Sequence, residues 1–392
     1  MSQTAATTTP LITRSFASLL VAQASFGYAF SSYFLLPKFL DTALAARPSE
    51  IGLVTAVHGL AVIAFLPLMG AAVDRFGRRD FLTAGALVMA VASFAFTAVN
   101  EVGPLLYALR AIQGFAFSMA FAAGAALAVD EAPPERMGQA IGIFGLTFLS
   151  MNALAPATVE EVVGRSGWPL AFALAGVAAL LCAALSRRLR DVHVPHGDGQ
   201  RNAGLWEVAR RAGQIRVSIV IALVGVALGS VFIFHQPFAR ELGMTHVRGF
   251  FIGYTTAAVA VRVGLGQFVD RVGHRRVSLA TLVLYVFAVT GMAGLRPGGL
   301  PLYGAALGIA HGLFYPAFNA VAVSGVGEHE RGKVMALFQA AFHVGFSGGA
   351  LGLGLLAERS GYPAVFQASG ACVLAALLLL LASPDGRARR TA

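Results

Sequence analysis

Long apolar runs broken by short charged turns fill almost the whole chain. They lie near 15–38, 51–73, 81–99, 104–129, 138–160 and 168–186 and, after a polar interval, near 217–238, 249–269, 277–295, 301–325, 334–357 and 364–382. Each is close to the roughly 20 residues a helix needs to cross a bilayer, where no backbone polar group can go unpaired. The pattern predicts an all-α membrane protein with twelve transmembrane helices. The polar interval divides it into a six-helix bundle over 1–186, a linker over 187–216 and a second six-helix bundle over 217–392. Within the linker, LWEVARRAGQIRV suits either a short amphipathic helix on the membrane surface or a solvated tether.

Composition agrees. The chain is 57% hydrophobic and 12% charged, with a mean hydropathy of +0.72, whereas a soluble domain carries about 25% charged residues. The net charge of +10 invites a nucleic-acid reading until its distribution is read. With the N-terminus inside, the inner segments hold 20 of the 29 Lys and Arg residues, and the outer loops hold seven: Lys38, Arg47, Arg165, Arg240, Arg248, Arg296 and Arg359. That asymmetry is the positive-inside pattern of a cytoplasmic membrane protein with both termini in the cytoplasm. The partner implied is the lipid bilayer, and no nucleic acid is called for. Cys182 and Cys372 both sit in apolar runs and suggest neither a disulfide nor a metal site. The polar N-terminal stretch lacks the cleavage pattern of a signal peptide.

Gly70, Asp74, Arg75, Gly77 and Arg79 in GAAVDRFGRRD return 196 residues later as Gly266, Asp270, Arg271, Gly273 and Arg275 in GQFVDRVGHRR. GRSGWPLAFALAG over 164–176 likewise returns as ERSGYPAVFQASG over 358–370, and PERMGQAIGIFG over 134–145 more weakly as HERGKVMALFQA over 329–340. Three landmarks in the same order imply two repeated halves. Parallel halves with a substrate site between them are one construction of secondary transporters.

At these residues the chain resembles the major facilitator superfamily. Its charged turn is matched by Gly70, Asp74, Arg75, Gly77, Arg78 and Arg79, and its fourth-helix motif by Arg110, Gln113 and Gly114. The resemblance implies that the duplicated turn is a conformational latch. Asp74 would face the start of helix 11 near Gly332 and Lys333, and Asp270 the start of helix 5 near Met137 and Gly138. A carboxylate at a helix N-terminus gains about 0.3–1 kcal/mol, enough to bias a two-state equilibrium. The resemblance also ties the fourth-helix arginine to proton coupling through an acid in helix 1. Helix 1 here has no acid and offers Gln23, Ser25, Tyr28 and Ser32 instead.

Charges inside spans are functional candidates because their insertion costs about 2.5–3.5 kcal/mol. Arg262 lies about 12 Å along its helix from Asp270, with Thr255 on the same face; substrate binding or coupling and a structural pairing with helix carbonyls both remain open. Histidine titrates near neutrality, so His58, His235, His311 and His343 are candidates for binding or proton carriage beside Arg110 and Gln113. His311 shares a face with Tyr315 and Asn319. No metal-ligand spacing, nucleophile–base motif or nucleotide loop is present. The expectation is a gradient-driven, monomeric, non-enzymatic transporter without cofactor. It would export a small drug-like molecule or metabolite, coupled to protons. Organic-anion uptake or exchange through Arg262 is the first alternative, and a non-transporting membrane sensor or scaffold the second.

Overall fold

The computed structural model describes residues 12–133, 136–189 and 205–383, and every regular element within them is helical. The first span is α1 (Arg14–Ser32), continued through one 3-10 turn into α2 (Leu36–Ala43). The first half is completed by α3 (Pro48–Phe76), α4 (Arg78–Ala95), α5 (Pro104–Asp130), α6 (Met137–Ser166) and α7 (Trp168–Ser186). A short α8 (Leu205–Ala209) precedes α9 (Ala212–Glu241), α10 (Arg248–Val272), α11 (His274–Gly291), α12 (Leu300–Val323) and α13 (Glu328–Leu381). Local chemistry sets the starts. Thr13 caps α1 by accepting from the Phe16 amide at 3.1 Å, and α3, α5, α7 and α12 carry proline in the first two positions, where its missing N–H costs nothing.

Eleven helical segments are long and apolar enough to cross a membrane. The last, α13, runs 54 residues, about 80 Å if straight against a hydrocarbon core of about 30 Å. Gly361, at φ 76 and ψ 170, breaks it into two, which agrees with the expected twelve. The stretch LWEVARRAGQIRV does not form one surface helix. Its α8 stops at Ala209 and α9 begins at Ala212, five residues before the apolar run, because the helix extends past the hydrocarbon edge. The rest of the interval, with Arg190 and Arg201, and the basic tail from Arg387 to Arg390 lie outside the described residues.

The repeat is visible in the backbone. Gly77 (φ 104, ψ 132) and Gly273 (φ 98, ψ 134) turn the chain between α3 and α4 and between α10 and α11. Gly167 (φ 81, ψ 175) and Gly361 (φ 76, ψ 170) do the same after α6 and within α13. These last two conformations are nearly reserved for glycine and strain an L residue by about 1–3 kcal/mol. Gly361→Ala should therefore lower the melting temperature of the detergent-solubilised chain. Gly352→Ala, on the helical part of α13 with open space around it, should not. Equal melting of the two would show that the turn is unstrained.

The two ends of the bundle differ. At the end opposite the duplicated turns, buried Leu36, Phe39, Ile51 and Val54 of the first half share one apolar core with Val231, Phe232, Phe250, Ala350 and Leu353 of the second. There α3 lies against α13 and α2 against α9. At the turn end, a Cβ built on Gly138, Gly142, Gly145, Gly266 or Gly332 would meet nothing within 4 Å. The halves are thus closed together at one end and apart at the other.

Candidate functional site

A cavity of about 540 Å³ opens between the halves, walled by α6 on one side and by α10 and α12 on the other. Ile141, Gly142, Gly145 and Leu146 form the α6 wall, and Arg262, Asp270, His274, Tyr315 and Asn319 bring its polar groups. Of the residues expected from sequence, Arg262, Tyr315, Asn319, Gly266 and Asp270 meet here. Among the described residues no carboxylate pairs with Arg262; its Nε donates to the Gly312 carbonyl at 3.3 Å. The reason lies one turn on. Pro316 lies inside α12 and has no N–H to offer the carbonyl four residues earlier, so that buried acceptor takes a donor from α10 instead. Arg262 is therefore positioned by structure and still lines the cavity.

Aromatic and polar side chains back this wall. His311 is ringed by Tyr315 at 5.3 Å, Tyr285 at 6.1 Å and Tyr254 at 6.3 Å. Its Nδ1 lies 3.4 Å from the Tyr285 hydroxyl. The Tyr315 hydroxyl donates to Gln339 on α13. Asn319 Oδ1 and Thr255 Oγ1 are buried with no hydrogen-bond partner among the described residues. Thr255 and His311 stand behind the lining residues rather than among them.

The remaining candidates lie elsewhere. Tyr28 bonds Thr158 on α6 at 2.8 Å, and Ser32 donates to the Tyr28 carbonyl at 2.8 Å, so both are spent on packing in this conformation. His58 on α3 and His343 on α13 come near one another, because Gly59 packs directly on Ser347. Arg110 donates to Gln113 at 2.6 Å and is buried.

The duplicated turns are open. The Asp270 side chain is 75% exposed, with His274 at 3.9 Å, and the space around Gly138 is empty among the described residues. The side chain of Asp74 lies outside the described atoms. Arg78 instead ties α4 to the end of α5 through Asp130, and Arg275 donates to the carbonyls of Leu380 at 3.0 Å and Ser383 at 2.8 Å, closing the end of α13. Arg75 lies over the Phe76 ring at 5.2 Å.

The closed end carries a polar seal that the sequence reading passed over. Glu160 on α6, its side chain only 3% exposed, accepts from Lys38 and from the backbone amides of Val247 at 2.9 Å and Arg248 at 3.0 Å. It thereby caps α10 of the opposite half, where the dipole and unpaired N–H groups favour an anion. Lys38 also donates to the Thr245 carbonyl at 2.7 Å. Arg240 pairs with Asp41 at 2.8 Å, Arg248 with Glu161 at 2.8 Å, and Gln236 donates to the Phe34 carbonyl at 2.7 Å. Beneath these contacts Phe34 packs against Phe232 at 5.4 Å and Phe251 at 6.1 Å. Two adjacent acids at a span end and a lysine just inside another were the available signals. Without knowing which ends face each other, nothing paired them.

Two span bundles, joined at one end around an apolar-walled cavity with a single lining arginine, define a multi-pass membrane protein of the transporter type. The Major Facilitator Superfamily model matches residues 17–301 and 250–392, and the chain belongs to that superfamily. It is 23% identical over 340 residues to the multi-drug resistance efflux pump PmrA of Streptococcus pneumoniae, covering 82% of this chain and 83% of that protein. It is 25% identical over 322 residues to the multidrug resistance protein MdtG of Dickeya zeae, covering 79% and 78%. Among solved structures, the nucleoside transporter NupG superposes with a TM-score of 0.77 at 14% identity, over 94% of this chain and 99% of that one. The human organic anion transporter MFSD10 gives 0.71 at 16% over the same shares.

Proposed function

We propose that the chain is a secondary active exporter of a small organic molecule, drug-like or metabolic, working by alternating access as a monomer and coupled to protons. The observation that carries this reading is the cavity between the halves, which is shut at one end by the Glu160 seal and open at the turn end. Its volume, about 540 Å³, suits a drug-sized solute, and apolar walls with few polar groups suit an amphiphile better than a sugar. The multidrug names of PmrA and MdtG point the same way. In this reading the turn end faces the cytoplasm, as the distribution of Lys and Arg requires. Both termini are then cytoplasmic, in a bacterial-type cytoplasmic membrane. Gly70, Asp74, Arg75, Gly77, Arg78, Arg79, Gly266, Asp270, Arg271 and Gly273 form the latch of the opposite conformation. Arg262, Tyr315 and Asn319 bind the solute, with Thr255 and His311 behind them. His58, His343, Arg110 and Gln113, and Tyr28 and Ser32 once released from packing, are the candidates for coupling.

The test is purified chain in liposomes loaded with a pH-sensitive dye, challenged with solutes from lipophilic cations to small carboxylates, with and without a pH gradient. Solute-dependent proton movement is the expected result. Flux without proton movement would sink the coupling, and no flux for any solute would sink the transport reading.

A second reading, carriage of an organic anion, is favoured by Arg262 having no carboxylate partner among the described residues. Arg262→Lys separates the two. It should reduce carboxylate flux by about tenfold or more, because a lysine does not reproduce bidentate carboxylate recognition, and leave flux of neutral solutes within about twofold. Equal losses for both solute classes would show that Arg262 acts only through the Gly312 carbonyl.

A further inference from the structure

A smaller cavity, of about 310 Å³, lies at the turn end on the outside of the first half, between the start of α4 and the end of α7. Arg79, Asp80, Thr83, Ala84 and Leu87 line it from α4, and Arg187 from the end of α7. A polar bridge ties its two walls, since the Thr83 and Ser186 hydroxyls meet at 2.8 Å. Arg79 Nε donates to Asp80 at 3.1 Å, which leaves both terminal NH2 groups of Arg79 for a ligand. Arg187 is exposed, and its side chain has no partner among the described residues. Two guanidinium groups against one carboxylate leave the groove with a single net positive charge.

The repeat supplies the comparison. Arg275, which answers to Arg79, is spent on the carbonyls of Leu380 and Ser383 at the end of α13. In the first half the corresponding helix end is closed by its own backbone, with the amides of Arg188 and Leu189 donating to the carbonyls of Leu185 and Ser186 at 3.0 Å. Arg79 is therefore not used as a helix cap, and the groove beside it stays open. Beyond its charged mouth the surface is apolar. Leu87 and Val91 follow Asp80 by seven and eleven residues, on one face of α4, and Leu180 precedes Arg187 by seven on α7; all three are exposed. On the outside of a spanning bundle such side chains meet acyl chains.

A cation would be repelled from this groove. A soluble anion would satisfy the arginines and leave the apolar stripe uncovered. A singly charged phosphodiester carrying acyl chains satisfies both parts, because a guanidinium fork matches phosphate oxygens and basic pockets between spans suit anionic headgroups. We propose that the groove between α4 and α7 binds one anionic phospholipid, its phosphate held by Arg79 and Arg187 and an acyl chain laid along Leu87 and Leu180. With the turn end cytoplasmic, the lipid belongs to the inner leaflet. The site itself depends neither on that orientation nor on what is transported.

The test uses the purified full chain in phosphatidylcholine nanodiscs doped with a phosphatidylglycerol that carries a photoactivatable group in its acyl chain near the glycerol. After irradiation, the label is located by mass spectrometry of the peptides. It is expected on the α4 and α7 peptides that contain Leu87 and Leu180, and should be competed by plain phosphatidylglycerol but not by added phosphatidylcholine. Arg79→Gln combined with Arg187→Gln should lower this labelling about fivefold or more. Arg276→Gln removes an exposed charge from the start of α11 in the other half, and should leave labelling within about twofold. Ala84→Leu fills the groove and keeps both arginines; it should lower labelling to a similar degree at an unchanged melting temperature, so it carries the test if the double variant does not fold. The proposal is overturned if the label spreads evenly over the lipid-facing helices, if the groove variants label like the parent chain, or if Arg276→Gln lowers labelling as much as they do. It is also overturned if inorganic phosphate displaces the probe as well as phosphatidylglycerol does, which would make the occupant a soluble phosphate.

Discussion

Glu160→Gln should open the sealed end. The Glu160 carboxylate accepts from the Lys38 ammonium and the amides of Val247 and Arg248, with the His246 ring 3.8 Å away. A glutamine has the same shape but turns an NH2 group toward that set, leaving a donor against donors and removing the charge from Lys38 and from the start of α10. Hydrogen bonds to charged groups contribute about 1.5–3 kcal/mol each, and leaving one member of a buried pair alone costs more than never having had the pair. A net loss of about 3 kcal/mol shifts the balance between the two end-states roughly a hundredfold. Phe34 reports the change, because it lies between the halves just beneath the seal. With Cys182 and Cys372 replaced, a Phe34→Cys reporter should react slowly with a membrane-impermeant thiol reagent applied from the sealed side. Adding Glu160→Gln should speed that reaction about a hundredfold. An unchanged rate would mean that the apolar core around Ile51 and Phe250 holds this end shut without the carboxylate.

The seal also marks the limit of what the sequence discloses. Span count and the duplicated turn follow from hydropathy and repetition, which are local properties, and Gly77, Gly273, Gly167 and Gly361 take up matching backbone angles at the repeated positions. Arg262 was legible as a mid-span charge and does line the cavity. Pairing with a helix carbonyl was one of the readings left open for it; that the carbonyl is that of Gly312 was not legible, since it depends on Pro316 being brought opposite by the packing of α10 on α12. The role of Glu160 was hidden for the same reason, although the residue itself stood out as an acid at a span end. Its partners are 122 residues upstream and 87 downstream, and a periodicity argument sees neither. Tyr28 and Ser32 were legible only as polar positions of the first helix; in this conformation Tyr28 is turned against α6, and Ser32 bonds the Tyr28 carbonyl of its own helix.

The same reasoning predicts two glycine substitutions with opposite effects. Gly52 of α3 lies so close to α13 of the other half that a Cβ there would sit 2.2 Å from the Ala350 carbonyl oxygen. The contact is reciprocal, since a Cβ on Gly354 would sit 2.7 Å from the Pro48 carbonyl. Neither neighbour is the tip of a flexible side chain. Backbone must move, and packed helices yield little, so Gly52→Val should force the halves apart at the sealed end. Gly138, at the start of α6, has open space around it here, and Gly138→Val is accommodated in this conformation. If the turn end closes by bringing α6 onto Asp270, that same valine obstructs closure and holds the chain as it stands. Gly52→Val should therefore raise the reactivity of the Phe34→Cys reporter at least tenfold, and Gly138→Val should leave that reporter slow; both should stop transport. A Gly142→Cys reporter, read from the turn end, should respond in the reverse sense, falling in Gly52→Val and staying high in Gly138→Val. Parallel rather than opposite responses of the two reporters would show that the ends open independently, and alternating access about this cavity would have to be given up.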